Sequence, residues 1–132
     1  MNAITTAADP LLAVKDLRKY FPVLGGVLQR QVATVQAVDD ISFSVERGET
    51  LGIVGESGCG KSTTARLLVQ LLKPDSGSIV FDGMAVGEHG GISTRELRRN
   101  VQMVFQDSYS SLNPRLPIED TIAFGPSVHG VP

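Results

Sequence analysis

The chain has 132 residues, with 12 Lys+Arg against 14 Asp+Glu for a formal net charge of −2. That balance excludes the positive excess of a nucleic-acid-binding domain, and 42% hydrophobic with 20% charged residues excludes wholesale disorder. A single cysteine, Cys59, excludes an internal disulfide framework and any multi-cysteine metal centre.

Residues 1–10 read as a loose, polar leader closed by Pro10. It has neither the positive head nor the continuous apolar segment of a secretory signal. No run is apolar enough to span a bilayer, since residues 67–72 are interrupted by Gln70. The expectation is a cytoplasmic chain whose membrane role, if any, comes through partners. Weak alternation over residues 11–17 predicts a first strand, and Gly25-Gly26 predicts a loop or irregular hairpin between Phe21 and Val35. Residues 35–45 end in Ile41, Phe43 and Val45 alternating with Ser42 and Ser44, the pattern of a strand with one buried face.

After a turn at 47–49, residues 50–55 (TLGIVG) form a short apolar run of the kind covered on both faces of an α/β sheet. Ala65, Leu68 and Leu72, with Leu67 and Leu71 beside them, predict a helix from Lys61 to Lys73, stopped by Pro74. A turn at 75–77 leads into a strand at 78–81, and Asp82-Gly83 predicts a hairpin turn. Residues 87–91 read as a flexible Gly-rich stretch and 94–100 as a short polar helix with Thr94 as N-cap. Residues 101–105 (VQMVF) predict a further strand, and 117–124 the start of a helix with Pro at its first turn.

The chemistry concentrates at Gly55-Glu56-Ser57-Gly58-Cys59-Gly60-Lys61-Ser62-Thr63. This fits G-x-x-x-x-G-K-[ST], between a buried strand and an amphipathic helix. Glycines at 55, 58 and 60 allow the backbone to curl with its N–H groups inward, and the helix start adds unpaired N–H groups and a positive dipole end. Lys61 reaches the β- and γ-phosphates, the Ser62 hydroxyl is placed for Mg²⁺, and Thr63 for a further phosphate oxygen. Cys59 reads as a small loop residue. The segment is a nucleotide site.

With these residues the sequence resembles the ATP-binding subunits of ABC transporters, and more narrowly the oligopeptide/dipeptide importer group. The resemblance is carried by residues 35–83 and by VQMVFQDSYSSLNPRL at 101–116. It implies an α/β P-loop NTPase fold that is incomplete: an N-terminal antiparallel β part plus the first portion of the RecA-like core, together occupying residues 11–132. By position, Phe21 matches the aromatic that stacks on adenine, with Tyr20 as its neighbour, and Val38 would line the adenine side. Gln106 matches the Q-loop glutamine, which approaches Mg²⁺ and the attacking water while its loop contacts the membrane subunit. Lys61 and Gln106 are thus the expected catalytic groups, Ser62 and Gln106 the metal ligands, and ATP with Mg²⁺ the cofactors. The implied partners are permease subunits, a second ATP-binding subunit and, indirectly, an external substrate-binding protein, at the inner face of the cell membrane.

The sequence also departs from the pattern. Ser108 stands where peptide-importer relatives commonly have Pro, and residues 123–130 are a loose version of the family's next stretch. No hydrophobic strand ends in Asp-Glu, there is no LSGGQ-type motif, and His89 and His129 lack the setting of a switch histidine. Since phosphoryl transfer rests on positioning and charge stabilisation, the expectation is a truncated chain with negligible turnover alone. A non-catalytic nucleotide-binding fragment is the alternative; a GTPase is disfavoured by the lack of N-K-x-D. Without parallel neighbours, residues 51–55 are expected to present an open, apolar, aggregation-prone edge. The arginines at 95, 98 and 99 read as a solvated helix face.

Overall fold

The computed structural model describes residues 9–27, 30–107 and 112–131; most of the leader and Ser108 lie outside them. Strand β1 (Leu12–Gly25) and strand β2 (Arg30–Val45) form a long antiparallel hairpin running from Leu12↔Val45 to Gly25↔Arg30. Of the two readings open for the segment between Phe21 and Val35, the irregular hairpin is the one formed, so both strands run on through it. The ladder shifts register between Val14 and Leu17 and again around Lys19, and Asp16 and Asp40 take left-handed backbone angles there. The amide this irregularity releases is not left bare: Asp16 N donates to Ser42 Oγ at 2.8 Å.

Strand β3 (Ser76–Phe81) pairs antiparallel with the other edge of β1, and β4 (Met84–Ala85) completes a sheet of order β2-β1-β3-β4. The β3–β4 connection has positive φ at both Asp82 and Gly83 (49° and 76°), as the sequence predicts for a two-residue hairpin turn. Helices α1 (Lys61–Leu68), α2 (Thr94–Asn100) and α3 (Ile118–Val128) complete the described elements. Val14, Leu17 and Ile79 from the sheet pack with Val38, Leu67, Ile92 and Leu97 into one buried cluster, flanked by half-buried Ile41 and Phe43.

Four expectations need correction. The α1 helix ends at Leu68, well before Lys73, because Gln70 turns left-handed (φ 57°). Gln70 N donates to Leu67 O and Leu71 N to Arg66 O, the paired closing bonds of a Schellman motif. The N-cap of α2 is Ser93, whose hydroxyl accepts from Glu96 N, not Thr94. The arginines are not simply solvated: Arg98 donates to Val69 O and Gln70 O at the end of α1, and Arg99 donates to His129 O at 2.8 Å. Finally, residues 50–55 and 101–105 are not in ladders. Hydrogen-bonded partners define a strand, and among the described residues the sheet ends at β2 and β4, leaving both segments unpaired. Leu51, Ile53, Val54, Val104 and Phe105 are accordingly exposed.

Candidate functional site

The fold positions the loop at 55–63 through one close approach. Gly60 caps α1 with φ 93°, and its Cα lies so near β2 that an added Cβ would stand 2.1 Å from Ala37 O and 3.6 Å from Val38 Cγ2. Only glycine fits both the angle and the gap. Val38, buried to 2% exposure, is therefore a prop beneath the loop. Thr64, which the sequence pattern did not single out, is also buried and donates from its hydroxyl to Gly60 O at 3.0 Å. Its position one residue past the motif was the only available signal.

The loop is curled, with left-handed angles at Gly58 and Gly60. At Gly55 an added Cβ would meet only the end of the Cys59 side chain, at 2.5 Å, which a turn of that side chain relieves. Cys59 N donates to Glu56 O, closing the turn, whereas α1 begins with no side-chain cap and no acidic residue in its first turn. Its leading N–H groups and dipole end are left for an anion. Lys61 Nζ donates to Gly55 O at 2.7 Å and Glu56 O at 2.6 Å, with Cys59 Sγ at 3.3 Å. The thiol is the weakest of these acceptors, and so the contact most readily given up.

Ser57, Gly58, Gly60, Lys61, Ser62, Thr63 and Gln106 line one open cleft of about 400 Å³. The glutamine at the end of residues 101–105 is thus brought to the phosphate loop from more than forty positions away in sequence. Phe21 and Val38 are not in that lining. They belong to the hairpin that supports the loop, where Phe21 is 37% exposed opposite Val35, and Lys19 stands opposite Val38. Tyr20 points its hydroxyl to Asp39 at 2.6 Å, and this bond to a carboxylate raises the phenol above its ordinary pKa of 10.0. Asp75 accepts from Lys19 Nζ at 2.8 Å and Tyr20 N at 2.7 Å, which together hold its carboxyl below the usual range. A hydroxyl at Ser62 and a carboxamide at Gln106 are hard oxygen donors of the kind Mg²⁺ accepts beside phosphate and water. No cluster of three His, Cys, Asp or Glu occurs among the described residues.

A glycine-rich turn before an uncapped helix, with its lysine and hydroxyls facing one cleft, defines a P-loop nucleotide-binding domain. The comparisons narrow this. The family model described as ABC transporter matches residues 38–129, more than half of the chain, and the chain belongs to that family. It is 49% identical over 115 residues to the oligopeptide transport ATP-binding protein AppF of Bacillus subtilis, covering 86% of this chain and 35% of the relative. The glutathione import ATP-binding protein GsiA of Pectobacterium atrosepticum is 44% identical over 130 residues, 98% of this chain and 21% of that protein. The chain thus spans about a third or less of these relatives. Among solved structures, a bacterial Atm1-family ABC exporter with ATP bound matches with TM-score 0.63 and 30% identity over 88% of this chain and 18% of its own. The cbiO1 subunit from Clostridium perfringens, part of the ABC transporter complex cbiONQ, gives TM-score 0.56 and 26% identity over 94% and 52%. No described helix is long and apolar enough to cross a membrane.

Proposed function

We propose that this chain is the N-terminal part of the ATP-binding subunit of an ABC importer, coupling ATP binding and hydrolysis to the uptake of peptides. The observation that carries it is the convergence of Lys61, Ser62 and Gln106 on one cleft at the start of α1. The names of the similar importers support a peptide-like cargo, oligopeptide in one case and glutathione in another.

In this reading the amides of residues 57–63 and the Lys61 ammonium hold the triphosphate tail, Thr63 adds a hydroxyl, and Phe21 takes the adenine. Mg²⁺, when bound by Ser62 and Gln106, neutralises phosphate charge. Gln106 ends an exposed segment and is the natural relay: its carboxamide faces the phosphates while its loop meets a permease subunit. A second ATP-binding subunit closes the nucleotide between the two, at the inner face of the membrane, and an external binding protein delivers the cargo. The Asp-Glu pair that would orient water is missing from this sequence. The second reading, for the chain by itself, is a nucleotide-binding fragment without turnover. Phosphate release separates the two: sustained Mg²⁺-dependent release removes the fragment reading.

Titration of a fluorescent ATP analogue with Mg²⁺ tests the site itself. Lys61→Ala is expected to weaken binding at least tenfold, a loss of about 1.4 kcal/mol. Equal affinities for wild type and variant would remove Lys61 from this role.

A further inference from the structure

We propose that Lys19 is a positioning residue for the nucleotide base: anchored by Asp75, its ammonium covers one face of the Phe21 ring and leaves the other to receive an electron-rich purine. The inference rests on the reading of Phe21 as the adenine platform and extends it to a residue the phosphate motif does not reach.

Four observations carry it. The Lys19 side chain is only 17% exposed, unusual for lysine, and its Nζ lies 2.8 Å from Asp75 Oδ1. The same Nζ sits 5.5 Å from the centroid of Phe21, inside cation–π range. Asp75 is itself fixed, since its other oxygen accepts from Tyr20 N and its own amide donates to Arg18 O at 2.9 Å. Lys19 pairs across the hairpin with Val38, whose Cγ2 lies 3.6 Å from where a Cβ on Gly60 would stand. Lys19 and Phe21, two apart on β1, share that face, while Tyr20 turns its hydroxyl away to Asp39.

The chemistry follows from the quadrupole of the ring. A cation on one face draws π density toward itself, so the opposite face is poorer in electrons and a better surface for an electron-rich purine. The ion pair also restricts the ring, so less motion is lost when a base stacks. The cation's contribution is therefore felt by the base, whereas a merely electrostatic lysine would act on the phosphates.

The test compares Mg²⁺-ATP with Mg²⁺-tripolyphosphate, each displacing a fluorescent ATP analogue, in this chain and its variants. Phe21→Ala is expected to weaken ATP while leaving tripolyphosphate unchanged; if it does not, the platform reading fails and takes this inference with it. Given a selective Phe21→Ala, Lys19→Met is expected to weaken ATP about threefold to tenfold with tripolyphosphate unchanged, and Lys19→Arg to restore it. Asp75→Asn, which keeps an acceptor for Tyr20 N but releases the ammonium, is expected to lose ATP selectively and by less. Unretained tripolyphosphate binding would mark a variant that has lost the loop, and the judgement then falls on Asp75→Asn. Lys19→Met weakening both ligands alike while Asp75→Asn changes neither, or both variants binding ATP like wild type, overturns the proposal.

Discussion

Gly58→Ala and Gly60→Ala, two substitutions of the same size in the same turn, separate backbone strain from contact. Both glycines are left-handed, at φ 82° and 93°, so an alanine at either costs roughly 1–2 kcal/mol in conformational strain. They differ in what the new methyl meets. At Gly58 nothing lies within 4 Å, whereas at Gly60 the Cβ would stand 2.1 Å from Ala37 O. Real Cβ contacts stay beyond 3.0 Å, so β2 and the loop must part by 3.0 − 2.1 = 0.9 Å. That displaces Val38 from beneath the loop and strains the bond from Thr64 to Gly60 O, adding about 1–3 kcal/mol by the scale of overpacked cores. Gly60→Ala should therefore cost about 2–5 kcal/mol and Gly58→Ala about 1–2 kcal/mol. Urea midpoints at constant m measure both, and ATP-analogue affinity should fall at least tenfold for Gly60→Ala and less for Gly58→Ala. Equal midpoints for the two variants would refute the close approach of β2 to the loop.

Arg98→Ala should destabilise the chain by about 1–2 kcal/mol, because Val69 O and Gln70 O lose a charged donor at the end of α1; Arg98→Lys, without the planar fork, should recover only part of that in the same urea measurement. Asp75 has a folded pKa below its ordinary value of 3.8, so its contribution is present above that pH and is lost as the pH falls through the folded value. Acid unfolding of Asp75→Asn should accordingly show a shallower dependence on pH below about 4 than wild type. The exposed Leu51, Ile53, Val54, Val104 and Phe105 predict concentration-dependent association of the isolated chain. Replacing Val54 and Val104, each about nine-tenths exposed, with Lys should reduce that association in light scattering without lowering the melting temperature. A sharp, cooperative melt of a monodisperse wild-type monomer would contradict this.

The elements legible in the sequence are those whose cause is local. The Asp82-Gly83 turn, α2 and the loop from Gly55 to Thr63 depend on backbone preference, spacing and capping groups within a few residues, and each stands where the residues indicate. The start of α1 was legible for the same reason. Its end was not, because the stop is made by a left-handed Gln70 whose neighbouring carbonyls are taken by Arg98, 28 positions away. Pairing was likewise beyond local reading. The stretch between Phe21 and Val35 was open to a loop or an irregular hairpin and only the pairing decided for the hairpin, whereas residues 50–55 and 101–105 have strand-like side chains and no ladder. A strand exists through the groups opposite it, and nothing in its own residues names them. The sequence by itself determined that a curled glycine-rich turn stands before the helix at Lys61. The tertiary structure alone decided that Val38 supports that turn and that Asp75 meets Lys19, because each of these contacts joins segments separated along the chain and brought together by the burial of one shared core.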